Sequence, residues 1–291
     1  MKKIYLSLVL TALLLACSEE DLVLDGNLLG LGGDTWVKSE LDEWLYQEFI
    51  VPYNIYVRYK WDPSDVSYGK IVIPVDESKV KEIMSVVKKG WIRPYEAVAG
   101  GAFVRKLCPK SYVILGSPEY NSDNTMTLGF AEGGNKIVIL DVNKFNSTSK
   151  ADVKQALAVI FHEFSHILHQ TVLYPAEFAA ISNDGYNSNW SQTDDKAFGP
   201  LGFVTKYSRA SPDEDFADII RYITVDGKTA FNNYVNATAE PGKTRLRKKE
   251  AIVKNYFKQV WKIDLYETSP GANDGLSELV QQAITDIVAG L

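Results

Sequence analysis

All three histidines of this chain lie within eight residues, at positions 162, 166 and 169. The run His162-Glu163-Phe164-Ser165-His166 has the HExxH spacing, and uncharged residues flank it on both sides. Residues four apart on a helix lie one turn apart on the same face, so both imidazoles can reach one Zn²⁺. Glu163 would then lie beside the metal and act on a bound water. The alternative is a pair of hydrogen-bonded histidines within an apolar helix.

His169 follows His162 by seven residues and shares its helix face. At a rise of 1.5 Å per residue, it lies about 10 Å along the axis from His162. A straight helix therefore cannot bring all three imidazoles to one tetrahedral metal ion. The metzincin pattern does not apply either, because no later His follows in the chain. We predict that His169 neighbours the site and supports a ligand without binding the metal.

The third ligand is predicted to be a carboxylate, since no His remains. The segment Pro212-Asp213-Glu214-Asp215-Phe216-Ala217-Asp218 provides the best candidate, Glu214. If this segment opens a helix, Glu214 and Asp218 lie four apart on one face. The alternative is a set of acidic residues that only complement the helix dipole, and we interpret Asp213 and Asp215 in that way.

This Glu-x-x-x-Asp arrangement resembles that of gluzincins such as thermolysin. The resemblance implies that Glu214 binds zinc and that Asp218 orients a ligand histidine, as carboxylates next to metal-bound imidazoles do. Tyr207 precedes Glu214 by seven residues, as in the lethal-factor-like gluzincins. In that group the Tyr hydroxyl helps stabilise the oxyanion, which implies a catalytic role for Tyr207. The chain departs from the lethal factor pattern at Asp218, where that protein has Glu.

The elements that must position these residues are indicated by hydrophobic periodicity. Ser149 and Asp152 suggest a capping box at the start of a long helix that runs through His169 and ends before Pro175. A long loop is predicted over 183–202 because Asn, Ser, Asp, Gly and Pro dominate there. Further helices are predicted over 36–49, after Asp76, and over 213–223, 245–261 and 276–288, and strands over 54–61, 112–115, 126–131 and 136–142.

Three further predictions concern single segments of the chain. The strand 136–142 directly precedes the long helix, and we predict that it is the sheet edge that holds an extended substrate by β-addition. Pro52 is expected to end the first helix. The basic run Lys243–Lys249 is interpreted as the solvent-exposed start of a helix.

The N-terminus is predicted to be an export signal. Lys2 and Lys3 precede a short apolar run that is too short to span a bilayer and ends at Cys17. Leu14-Leu15-Ala16-Cys17 resembles a bacterial lipobox, which implies lipidation of Cys17 and cleavage after residue 16. An ordinary signal peptide that happens to contain a Cys is the alternative. If Cys17 is acylated, Cys108 has no disulfide partner, and it is predicted to be a buried or inert thiol rather than a nucleophile.

The segments 41–45, 52–55 and 133–138, together with the lipobox, carry a wider resemblance that covers nearly the whole chain. They resemble the substrate-import-associated zinc metallohydrolase lipoproteins of Bacteroidetes. The acidic residues that follow Cys17 resemble the export tag of surface lipoproteins in such bacteria. The resemblance implies a lipid-anchored protein exposed on the outer membrane and associated with TonB-dependent nutrient import.

These observations together predict an α+β fold, in which a mixed helix and strand part packs on a helical, gluzincin-like part with the HExxH helix. The expected organisation is a signal peptide over 1–16, a tether over 17–33, an N-terminal part over 34–148 and a catalytic part over 149–291. The net charge of −6 argues against a nucleic-acid partner.

The expected function is hydrolysis of peptide bonds in a peptide or protein substrate, with one Zn²⁺. The alternatives are a non-catalytic binding lipoprotein with a structural zinc site and a metal-dependent amidase that acts on non-peptide substrates.

Overall fold

A computed structural model describes residues 37–121, 125–132, 135–192, 198–269, 271–272 and 274–291 of the chain. The signal peptide, Cys17, the tether and the Gly133-Gly134 turn lie outside the described residues. The backbone contacts divide the chain into Met1–Ser39 and Glu40–Leu291. All elements below belong to the second unit.

Helices account for most of this unit, and the predicted mixture of helices and strands is confirmed. They are α1 (Glu40–Leu45), α2 (Val51–Tyr53), α3 (Glu77–Val87), α4 (Arg93–Leu107), α5 (Lys150–Thr171), α6 (Glu177–Ile181), α7 (Pro212–Arg221), α8 (Lys228–Ala237), α9 (Gly242–Tyr256) and α10 (Leu276–Val288). The strands are β1 (Tyr56–Arg58), β2 (Ser111–Ile114), β3 (Glu119–Tyr120), β4 (Met126–Thr127), β5 (Gly129–Glu132) and β6 (Lys136–Ile139). No helix of the described residues is long and apolar enough to cross a membrane.

The sheet that borders the site has the strand order β1-β2-β6-β5. The first three strands are parallel, and β5 runs antiparallel to β6, with Ala131 opposite Ile137. On β6, Ile137 and Ile139 face the main core, whereas Val138 faces a smaller apolar cluster. Both faces of β6 are therefore covered, which explains its continuous apolar sequence.

The prediction that strand 136–142 forms the sheet edge is wrong. β6 lies between β2 and β5, and the edge on this side of the sheet is β5. Since β6 hydrogen-bonds to a strand on each side, it has no free backbone groups for an added strand. Its apolar sequence fits an internal strand better than an edge.

The first helix does not end at Pro52, contrary to the prediction. α1 continues through a π-helical turn, Tyr46–Ile50, into α2, which contains Pro52. In this turn the Val51 N–H donates to the Tyr46 carbonyl. The wider turn accommodates the proline, which has no N–H of its own to donate. The segment ends at Asn54, whose φ of 54° is left-handed.

α5 is the central helix of the fold and matches its prediction closely. Ser149 caps its start, since the Ser149 hydroxyl accepts from the Asp152 N–H at 3.3 Å and donates to the Asp152 carboxylate at 2.7 Å. The helix ends at Thr171, four residues before Pro175. It packs against α7 and α10 on one side and against β5 and β6 on the other. This position places the histidines between the sheet and the C-terminal helices.

Two single residues complete the comparison with the sequence. Cys108 is buried, as predicted, and burial raises the pKa of its thiol. The prediction that Lys249 is exposed to solvent is wrong. Its side chain is fully buried and forms an ion pair with buried Asp215 at 2.6 Å. The pair joins α9 to α7, the helix that carries Glu214. Burial of both charges is tolerated because each finds its partner and further hydrogen bonds.

Candidate metal centre

Three potential ligand atoms converge where α5 meets the first turn of α7. His162 Nε2 lies 2.9 Å from Glu214 Oε2 and 3.1 Å from His166 Nε2, and the third side of the triangle is 3.3 Å. α5 presents the two imidazoles on one face, as the four-residue spacing predicts. Ser211 caps α7 by accepting from the Glu214 N–H, which holds the Glu214 backbone at the helix start.

The dimensions of this triangle fit a tetrahedral metal ion. Ligands at about 2.0–2.1 Å from Zn²⁺ lie about 3.3 Å from one another in tetrahedral geometry. Two imidazole nitrogens and a carboxylate oxygen are also donor types that Zn²⁺ prefers. His162, His166 and Glu214 are the residues that would hold the metal.

Asp218 fixes the orientation of His162. Its Oδ1 lies 3.3 Å from His162 Nδ1, so the Nδ1 proton points to Asp218 and the Nε2 electron pair points to the metal position. Ser208 donates to the Asp218 carboxylate at 2.7 Å, and Thr205 donates to it as well. Burial alone would raise the pKa of Asp218, but its bond to His162 and the charge of Arg221 hold that pKa below its usual range.

His169 contacts His166 and not the metal position. Its Nε2 lies 2.9 Å from His166 Nδ1. With His166 Nε2 as a ligand, the proton of His166 is on Nδ1 and is donated to His169. Burial and the neighbouring charge of His166 lower the pKa of His169, which favours the neutral form that can accept this bond. The imidazole is held edge-on against Tyr174 and Phe216.

The protonation states of the ligands follow from the same contacts in the metal-free protein. Burial lowers the pKa of His162, but hydrogen bonds to Asp218 and Glu214 outweigh it and raise that pKa to about 10. Burial would raise the pKa of Glu214, but its hydrogen bonds to His162 and His166 outweigh this effect and lower that pKa to about 2. The site thus holds a proton where a metal cation would otherwise balance the carboxylates.

Glu163 lies one residue after His162 and faces the edge strand. Its Oε2 accepts a hydrogen bond from the Ala131 N–H of β5 at 3.0 Å. Burial raises the pKa of Glu163, although the charges of His162 and His166 oppose this effect. A carboxylate with a raised pKa is suited to accept and return a proton near neutral pH.

Tyr207 lies beside the ligands in a short 3₁₀ turn, Tyr207–Arg209. Its ring centroid lies 5.8 Å from that of His162, and Trp190 packs edge-on against it at 5.0 Å. The side chain is 38% exposed. Burial raises the pKa of Tyr207, and the charge of Glu214 adds to this effect, so the hydroxyl keeps its proton at neutral pH.

These groups surround an open cleft of about 450 Å³. Residues of β5, α5, the start of α7 and Tyr207 line it. The predicted loop over 183–202 contacts this lining through Trp190, which packs on Tyr207. Within its described residues it contains the short 3₁₀ turns Trp190–Gln192 and Gly199–Leu201.

Several residues near the site were not identified in the sequence. Ala131 acts through its backbone, and Trp190 is far from the motif along the chain. Thr205, Ser208 and Arg221 hold Asp218 in place. Of these, Arg221 alone carries a sequence signal, since it lies three residues after Asp218 on α7 and therefore on the same face.

The comparisons with known proteins agree with this geometry. Residues 34–266 match the family described as "Putative zinc-binding metallo-peptidase". A crystal structure of a protein with the same description, from Bacteroides caccae, is similar with a TM-score of 0.71 and 29% sequence identity. The similarity covers 89% of this chain and 98% of that protein. No curated protein matches this sequence. On the extent of the family match, this chain belongs to the family of zinc-binding metallo-peptidases so described.

Proposed function

We propose that this protein is a zinc-dependent metallopeptidase of the gluzincin type that hydrolyses peptide bonds. The convergence of His162, His166 and Glu214 on one point in an open cleft carries this proposal. A structural zinc site is normally closed by four protein ligands, whereas a catalytic site has three and an open position. Glu163 supports catalysis further, because a structural pair of histidines needs no acid beside it.

Zn²⁺ bound at these three residues would lower the pKa of a coordinated water and polarise the substrate carbonyl. Glu163 accepts the proton of the attacking water on its carboxylate. It then returns that proton to the nitrogen of the leaving amine. The hydrogen bond from Ala131 to Oε2 holds this carboxylate in place beside the ligands.

The remaining side chains stabilise the developing oxyanion and orient the ligand imidazoles. The Tyr207 hydroxyl donates a hydrogen bond to the oxyanion that develops from the substrate carbonyl. Asp218 and His169 hold the imidazoles of His162 and His166 so that each directs Nε2 to the metal position. Such contacts to ligand imidazoles typically contribute 10–100-fold to metal affinity or activity.

β5 is the strand that would bind the substrate backbone. It is the edge of the sheet next to the cleft, and Phe130 and Ala131 line that cleft. An extended peptide can add to such an edge through backbone hydrogen bonds. This placement replaces the expectation that strand 136–142 binds the substrate.

A combined metal and activity measurement tests the proposal. We expect the purified protein to contain one Zn²⁺ per chain and to cleave members of a peptide library, with activity lost on chelation. Glu163→Gln keeps the shape of the side chain but cannot accept the proton, so turnover should be lost while zinc stays bound. Glu177→Gln, an exposed acid in the first turn of α6, is the matched control. Cleavage by Glu163→Gln at the wild-type rate would refute the mechanism.

We also propose that the protein is a lipoprotein on the outer membrane surface that works with a TonB-dependent import system. The lipobox at Cys17 and the acidic residues after it support this location. Expressed in a bacterium that lipidates such signals, the wild-type chain should fractionate with membranes and carry acyl groups on Cys17. Cys17→Ser should remove both properties. Acylation found elsewhere, or membrane association that survives this change, would contradict the assignment.

A further inference from the structure

Apart from the two ligand histidines, the charged side chains that line the cleft are all acidic. Glu163, Glu214 and Asp213 contribute carboxylates, and no Lys or Arg is found among the described residues that line it. A bound Zn²⁺ would offset the charges of Glu163 and Glu214. Among the described residues that line the cleft, Asp213 would then be the one acid whose charge is not balanced by a positive charge.

Asp213 is held in a fixed orientation by a residue outside its own helix. The Tyr174 hydroxyl donates to Asp213 Oδ1 at 2.5 Å. The Tyr174 ring is buried and stacks on Phe216 with centroids 4.3 Å apart, so the donor cannot move freely. Asp213 itself is exposed, and no cationic partner contacts it among the described residues.

This arrangement goes beyond the role that the sequence suggests for Asp213. An acid that only complements the helix dipole needs no oriented partner from another segment. The first turn of α7 also already has a cap, because Ser211 accepts from the Glu214 N–H. Tyr174 bonds one oxygen of the Asp213 carboxylate, which leaves the second oxygen for a ligand at the cleft.

We propose that Asp213 selects substrates that carry a cationic nitrogen close to the scissile bond. That nitrogen belongs either to a Lys or Arg side chain or to the free α-ammonium group of the peptide. The half-buried side chain of Phe130 and the side chain of Ile167 line the same cleft and offer apolar surface for the methylene groups of a long basic side chain. The inference rests on the proposed peptidase function and specifies its substrate class.

The same charges disfavour the opposite class of substrate. A carboxypeptidase needs a cation to bind the terminal carboxylate of its substrate, and the described lining offers none. Peptides with Asp or Glu beside the scissile bond would likewise be repelled by Asp213.

Matched peptides measure this selectivity. We would compare fluorogenic peptides that differ at one position, with Lys, norleucine or Glu, each with a free or an acetylated N-terminus. Wild-type kcat/KM should be highest for the cationic peptides. In Asp213→Asn, which keeps the oxygen that Tyr174 bonds, the ratio of cationic to neutral kcat/KM should fall about fivefold, or about 1 kcal/mol.

The controls separate this inference from the proposed function. Glu77→Gln removes an exposed acid from the first turn of α3, away from the cleft, and should leave the ratio unchanged. If Asp213→Asn lowers the ratio only for peptides with a free N-terminus, Asp213 binds the α-ammonium group. If the ratio falls only for peptides with Lys, Asp213 binds the basic side chain. An equal ratio in wild type and Asp213→Asn overturns the inference while leaving the peptidase function intact.

If no peptide is cleaved, the peptidase function fails and binding still decides the role of Asp213. The dissociation constants of the same peptides, measured with zinc-loaded protein, should then show the same preference for cations. Asp213→Asn should remove that preference. Equal affinities for cationic and neutral peptides in the wild-type protein would overturn the inference independently of any turnover.

Discussion

The hydroxyl of Tyr207 lies close to the ligands without being one of them. We expect Tyr207→Phe to lower kcat by about 10²–10³, because that is the usual cost of losing an oxyanion donor. Zinc content should not change, and KM should move little if the hydroxyl acts only as charge develops. Steady-state kinetics with metal analysis measures both quantities. The control is Tyr120→Phe, an exposed tyrosine on β3. An unaltered kcat in Tyr207→Phe would reduce the residue to a packing partner of Trp190.

His169 makes a contact that a metal titration can measure. Removal of its imidazole in His169→Ala leaves His166 Nδ1 without its acceptor, and we expect zinc affinity to fall about 10–100-fold. His169→Gln, whose carbonyl oxygen can accept the same bond, should recover part of that affinity. Competition with a chelator gives the dissociation constants, and circular dichroism verifies the fold. Equal zinc affinity in His169→Ala and wild type would show that the contact does not position His166.

At the residue scale, helix geometry explains which site residues could be predicted. The four-residue spacing of His162 and His166 places both on one helix face, and the lack of another His leads to Glu214. By contrast, the bond between Glu163 and the Ala131 N–H joins residues 32 apart through a backbone group, which no residue type marks. The contact between Trp190 and Tyr207 depends on how a long loop folds, and loop sequence carries little information on that.

At the scale of elements, the fit of β5 against α5 depends on one glycine. A Cβ added at Gly129 would lie 2.3 Å from a side-chain carbon of Val159 and 2.9 Å from the Val138 carbonyl oxygen. We expect Gly129→Val to push β5 away from α5, to weaken the bond to Glu163 and to lower kcat/KM more than tenfold. Zinc content should remain, since no ligand lies on β5.

Met126→Val, at an exposed position of β4, is the control for this change and should have little effect. Activity of Gly129→Val near that of the control would show that the site does not depend on the position of β5. Metal loss from Gly129→Val in a folded protein would show instead that the strand supports the ligands.

The same scale shows where periodicity predicts elements well. Both ends of α10 were predicted, because its apolar residues recur regularly and Gly275 and Gly290 flank it. α4 was missed, and its sequence explains why. It contains Gly100-Gly101, with Gly100 at a φ of 80°, and its apolar residues do not form one stripe. The edge position of β5 could not be predicted either, since strand order depends on pairings between residues distant in the chain.

At the scale of the whole molecule, metal binding and folding are expected to be coupled. The main core extends from Leu45 near the start of the unit to Ile287 near its end, so loss of the metal should destabilise the whole unit. A ligand present at 1,000 times its Kd stabilises the folded state by about 4 kcal/mol. For a chain of this size, chelation should therefore lower Tm by about 10 °C.

Differential scanning calorimetry with and without chelator measures this shift. Glu214→Ala lacks one of the three ligands and should respond far less to the chelator. A Tm that chelator does not change in the wild-type protein, although zinc is removed, would show that the metal stabilises neither α5 nor α7.

The hydrogen bond from the Ala131 N–H to Glu163 has a consequence for how this family can diverge. Any amino acid except proline supplies the same backbone donor. The side chain at 131 is therefore free to vary over evolution while the catalytic carboxylate keeps its support. At position 131, selection therefore acts on the backbone path of β5 and not on the type of side chain. Homologues can thus differ in residue type at position 131 and still inherit an intact active site.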